Sequence, residues 1–142
     1  MLLMSVLLAL AVATPAPAAD QTPPESVARD WFVAVLKGDR ETVKKLTRTP
    51  FAASGTLIPN EQLMEEHVFA AIGSSRQKKV DIPPDAIKVT KLERFKPETE
   101  MQRRALEQVY AKRFIQVKAG EATWVIYLTH GPKPKVVGVV SQ

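Results

Sequence analysis

The stretch YAKRFIQVKAGEATWVIYLTH, residues 110–130, decides the fold of this chain. It contains two runs of β-branched, aromatic and other apolar residues, the types that favour β-strands. A break around Ala119, Gly120 and Glu121 separates the runs, and a glycine-containing break between β-rich runs is typical of a hairpin. The stretch therefore predicts two antiparallel strands joined by a turn.

The sequence on either side extends this predicted sheet. GPKPK, residues 131–135, indicates a second turn, and VVGVVS, residues 136–141, indicates a last strand. Upstream, IKVTKLERF, residues 87–95, is rich in β-branched residues and indicates another strand. We therefore expect about four antiparallel strands. The charged residues 98–108 leave helix, strand and loop all open.

The N-terminal half shows helical spacing instead. Residues 25–37 place apolar side chains on a wide helical arc, and Gly38 is a typical helix end. Asp39 is a typical N-cap for a second, shorter helix, which we expect Pro50 to end. This pattern predicts two consecutive helices that pack against a core.

A third helix follows a short connection. Residues 50–58 are small and apolar and suit a short strand or an extended link. Pro59 and Asn60 then open a helix over residues 61–72, which we expect Gly73 to end. Helices early in the chain and strands late predict an α+β fold, with the helices packed on one face of a curved antiparallel sheet.

The first 19 residues indicate a signal peptide. An apolar run followed by Ala16-Pro17-Ala18 matches an h-region and a small-residue cleavage site. We expect export to a periplasmic or extracellular space, with residues 20–24 as a linker and residues 25–142 as one domain. An uncleaved membrane anchor is the alternative. No Lys or Arg precedes the run, so a true start a few codons upstream stays open.

Composition excludes several classes of function. The chain has no cysteine, so disulfides, thiolate chemistry and a lipidated cysteine are all excluded. The charged residues are 20 basic and 15 acidic, largely interleaved and without aromatic residues among them, which argues against nucleic-acid binding. The two histidines lie in no close-spaced ligand motif, and no phosphate-binding glycine motif is present. We therefore expect no metal and no cofactor.

The order of elements resembles the nuclear transport factor two-like superfamily, which includes ketosteroid isomerases and SnoaL-like cyclases. The resemblance covers residues 25–141 and rests on VARDWFVAVLKGDRETVKKL, EQLMEEHVFAAI, FIQVKAGEATWVIYL and KPKVVGVV. It implies a cone-shaped α+β barrel, a pocket between helices and sheet, and frequent dimerisation through the outer sheet face. It implies no particular activity, because one fold hosts many functions.

Four residues are candidates for ligand binding. His67 lies near the apolar face of the third helix and is also a weak catalytic candidate, because histidine is a common general acid or base. Arg113 turns inward if its strand alternates strictly, where it could bind a carboxylate. Trp31 is predicted mainly as a core residue, and Tyr127 as an anion stabiliser beside His67. The aspartate–tyrosine pair of ketosteroid isomerases cannot be assembled from these residues.

The last strands carry apolar residues on both faces. Trp124, Ile126 and Leu128 alternate with Val125 and Tyr127, so something must cover each side of the sheet. We expect a homodimer, or a protein partner, on the outer face. The sequence thus favours an exported domain that binds a small apolar or anionic ligand or a protein. The alternative is a lyase or isomerase that uses His67.

Overall fold

The computed structural model describes residues 21–142, and the predicted signal peptide lies outside the described residues. No helix in this part of the chain is both long and apolar enough to cross a membrane. The helices are α1 (Pro24–Lys37), α2 (Arg40–Leu46), α3 (Glu61–Met64, continued by a π-helical turn at Glu65–Phe69) and α4 (Glu100–Gln108), with a 3-10 turn at Pro84–Ala86. The strands are β1 (Thr47–Ala53), β2 (Thr56–Ile58), β3 (Ile87–Leu92), β4 (Arg113–Ala119), β5 (Ala122–Leu128) and β6 (Val136–Ser141).

The strands form one curved sheet in the order β2-β1-β6-β5-β4-β3. The α+β class is confirmed, and the predicted hairpin is the β4–β5 pair, with Ile115 opposite Ile126. The sheet is mixed rather than purely antiparallel, because β1 runs parallel to β6. The four antiparallel strands expected late in the chain are β3 to β6, and residues 47–58 form a two-stranded hairpin where one short strand or an extended link was expected. The sheet is not closed into a barrel: β2 and β3 are its free edges.

Two predicted helix ends are wrong. The second helix ends at Leu46, and Pro50 lies inside β1. Thr47 makes this early end possible, because its hydroxyl donates to the Val43 carbonyl at 2.6 Å and accepts from the Trp31 indole at 2.9 Å. The third helix ends at Phe69 rather than at Gly73, and turns connect it to Gly73.

The segment before α1 is held in place by a hydrogen bond to the turn after β5. Helix α1 begins at Pro24, one residue inside the predicted linker, and Pro is favoured in the first turn of a helix. The Thr22 amide donates to the Pro132 carbonyl at 2.8 Å, which ties this segment to the turn between β5 and β6. Gly38 ends α1 in the left-handed region, and the Asp39 side chain accepts from the Thr42 amide to cap α2, both as predicted.

Helices α1, α2 and α3 pack on one face of the sheet, as the helical spacing predicts. Apolar side chains fill the space between these helices and the sheet, where the resemblance implied a pocket. The residues buried there include Val27, Ala28, Trp31, Phe32, Val43, Phe51, Met64, Ile115, Val117, Ile126, Leu128 and Val136.

The second face of the sheet is covered by α4. This is the apolar outer face, on which the sequence predicted a homodimer or a protein partner. Thr99 caps this helix, which resolves the open assignment of residues 98–108. Its apolar side packs on Val125 and Tyr127, so the apolar second face is covered within the chain. The three predicted helices share one face, and α4, whose segment the sequence left open, lies on the other. The homodimer stays a prediction that this pattern no longer requires.

Candidate functional site

The structure does not bring the four predicted ligand-binding residues together. Trp31 is 5% exposed and lies in the core on the α1 side, where its ring is 6.2 Å from that of Phe51. Tyr127 is fully buried on the opposite face, between the rings of Phe95 and Phe114. Both aromatic residues therefore serve the packing of two different cores.

His67 lies at an apolar groove of about 350 Å³ beside the edge strand β2. The π-helical turn that carries it also places Val68 on the groove, opposite Leu57 and Ile58. π-helical turns are often found at functional sites. Among residues 21–142, no carboxylate pairs with His67. Without a partner that orients the imidazole, this groove lacks the usual arrangement of a general base.

Arg113 lies at a different place, where two adjoining cavities of about 590 and 500 Å³ meet. It is the first residue of β4 and shares the face of Ile115 and Val117, so the alternation argument for its direction holds. Both cavities are lined by Pro24, Arg113 and His130. We call the combined space the Arg113 cleft. It lies at the open end of the sheet, between the start of α1 and the turn after β5.

The Arg113 cleft has a surplus of positive groups. Lys91 and Lys112 line it together with Arg113, against two carboxylates, Glu25 and Glu93. Arg113 is half-buried, and none of the ion pairs within the described part of the chain involves it. A partly desolvated guanidinium without a carboxylate partner is an open site for an anion.

The start of α1 adds to this electrostatic character. Pro23 is its N-cap and provides no capping side chain. The first amides of the 14-residue helix therefore lack a side-chain cap, while the Glu25 carboxylate in the first turn offsets part of the positive end that faces the cleft. Anions are stabilised at such a position.

Sequence reasoning found Arg113 but missed its surroundings. His130, which lies in no ligand motif of the sequence, lines both parts of the cleft. Lys91 lies on the edge strand β3 and Lys112 directly precedes β4. Lysines are common at such positions, so neither indicates a binding site from the sequence alone. The available clue was the run Lys112-Arg113 at the start of a strand.

No family model, curated protein or solved structure matches this chain. Within residues 21–142, no group of three or more His, Asp or Glu side chains could hold a metal ion. What the site offers is a cationic anchor with adjacent polar and apolar walls.

Proposed function

We propose that this protein is an exported binding domain whose ligand is a small organic anion held in the Arg113 cleft. The observation that carries the proposal is the half-buried, unpaired Arg113 at the junction of the two cavities. A guanidinium binds a carboxylate with two parallel hydrogen bonds, so a carboxylate-bearing ligand fits this anchor best. The anion is also attracted over a longer range by the charges of Lys91 and Lys112 and by the start of α1.

The test is calorimetric titration of the protein with succinate, and separately with inorganic phosphate, at low salt. We expect succinate to bind and Arg113→Ala to weaken it at least about tenfold, because a hydrogen-bonded charge contact contributes roughly 1.5 to 3 kcal/mol. Arg113→Lys should recover only part of the affinity, since an ammonium group cannot form the paired contact.

Lys118→Ala is the matched control, because Lys118 is an exposed cation on the same strand and lies outside the cleft. It should bind succinate as the unchanged protein does. An equal loss of succinate affinity in both variants would mean that only the net charge of the protein matters. Unaltered binding in Arg113→Ala would refute the site. Tighter binding of phosphate than of succinate would move the ligand class from carboxylates to phosphates.

Export of the domain is part of the same proposal. The support is the apolar run before the small-residue motif Ala16-Pro17-Ala18. Mass spectrometry of the protein purified from its native cells should give a mature N-terminus at Ala19 or Asp20. An intact Met1 on membrane-bound protein would favour the anchored form instead.

Membership of the nuclear transport factor two-like superfamily also stays a proposal. It is supported by the order of the elements, two helices, a hairpin, a third helix and then the strands of the sheet. The lyase or isomerase alternative is supported by the position of His67 on its groove. A turnover that is lost in His67→Gln and kept in Arg113→Ala would favour that alternative.

A further inference from the structure

The residue after the last helix has an unusual backbone conformation. Helix α4 ends at Gln108, Val109 caps it, and Tyr110 follows with φ of 54°. This is the left-handed position at which helices commonly end, and glycine is the usual residue there. A bulky aromatic residue at positive φ is a genuine outlier.

Packing within the protein does not account for this tyrosine. Its side chain is among the few large hydrophobic groups that the described chain leaves exposed, at 75%. The strained backbone is thus not offset by burial of the ring. A strained backbone conformation that no packing within the protein compensates points to a role in binding.

Tyr110 lines a cavity of about 280 Å³ together with Val109 and Val137, which belong to the core that α4 covers. Pro50 and Val137 give this cavity apolar walls, while Arg48 and Lys112 contribute two positive charges. No acidic residue lines it, and neither cation takes part in an ion pair within residues 21–142.

We infer that the Tyr110 cavity is a second binding site, and that its ligand is a planar ring carrying a negative charge. The exposed phenol ring supplies a stacking surface with little loss of conformational freedom, and stacked rings contribute beyond the area that they bury. Arg48 and Lys112 supply the complementary charge for a carboxylate on that ring. The volume suits a ligand of one or two fused rings.

This site is separate from the proposed anion site in the Arg113 cleft. The two share Lys112 and His130 at their border, but neither Arg113 nor Pro24 lines the Tyr110 cavity. The inference therefore does not depend on the proposed function. A variant of Tyr110 tests one site, and a variant of Arg113 tests the other.

The experiment is a titration of the isotope-labelled protein with 2-naphthoate, followed by backbone amide NMR shifts. We expect the shifts to centre on Val109, Tyr110 and Val137, and to persist in Arg113→Ala. Tyr110→Phe should bind within about twofold of the unchanged protein, because the ring is kept. Tyr110→Gly should bind about fivefold to tenfold more weakly, since the stacking surface is lost.

Tyr110→Gly is suited to the test because glycine accepts this backbone conformation. We expect a melting temperature equal to or above that of the unchanged protein, so weaker binding is not explained by unfolding. Naphthoate shifts that avoid this cavity, or equal affinity in Tyr110→Gly, would overturn the inference. Equal affinity for uncharged 2-naphthalenemethanol would overturn the requirement for a negative charge.

Discussion

Gly138→Ala is expected to destabilise the fold by about 2 to 3 kcal/mol, in the range typical of an overpacked core. Gly138 lies in β6, between Ala52 of β1 and Tyr127 of β5. A Cβ atom there would stand 2.5 Å from Tyr127 Cδ2 and 2.8 Å from the Ala52 carbonyl oxygen. The first atom belongs to a fully buried ring and the second to backbone, so neither can move aside easily.

Chemical denaturation of the variant and the unchanged protein measures this loss. Gly120→Ala is the matched control, because it adds the same methyl group in the turn between β4 and β5, where no atom lies within 4 Å. Gly120 has φ of 63°, so the control should lose only about 1 kcal/mol from backbone strain. A Gly138→Ala midpoint equal to that of the control would contradict the close approach of the three strands.

The same contact explains why the sequence predicts only part of the sheet. Alternation and a glycine turn are local signals, and they place β4 and β5 correctly. The parallel pairing of β1 with β6 joins segments more than 80 residues apart, as in Ala52 and Gly138, and no local pattern records it. A glycine inside an apolar strand was the one available hint, because such a glycine often marks close backbone approach.

The candidate site shows a similar division between local and long-range information. Strand periodicity is enough to predict the face on which Arg113 lies, because Ile115 and Val117 on the same face are apolar. The cleft around it is built from the start of α1, the edge strand and the turn at His130, which meet only in the folded chain. The burial of Tyr127 is not predictable from the sequence, for the complementary reason. Its partners Phe95 and Phe114 lie on other strands or loops, so burial in a second core could not be inferred from its own strand.

Tyr127→Phe is expected to stabilise the protein by about 1 kcal/mol at neutral pH, because it removes a buried polar group that lacks a partner. The Tyr127 hydroxyl is fully buried and makes no hydrogen bond within residues 21–142. The surrounding rings of Phe95 and Phe114 offer no acceptor comparable to a carbonyl oxygen. Tyr110→Phe, which removes a hydroxyl from an exposed ring, is the control and should change stability by less than about 0.5 kcal/mol.

The same hydroxyl should make stability depend on pH in the alkaline range. Burial raises the pKa of Tyr127 from 10.0 to about 12, because the charged phenolate is poorly solvated in this core. Between these pH values the unfolded chain loses the phenol proton and the folded chain keeps it. The folded state then binds more protons, so its advantage is complete below pH 10 and is lost as the pH rises through about 12.

Comparison with Tyr127→Phe isolates this effect, since all other titrating groups are common to both proteins. The stability advantage of the variant should grow by roughly 2 kcal/mol between these two pH values, because each unit of pKa difference corresponds to about 1.4 kcal/mol. Denaturation series across this range measure the difference, and ultraviolet absorbance follows tyrosinate formation. A constant gap between the two proteins would show that the phenol ionises as readily in the folded state as in the unfolded chain. The hydroxyl would then have access to water, and the cover that α4 and Phe95 provide over this face would be looser than the packing of Val125 and Tyr127 indicates.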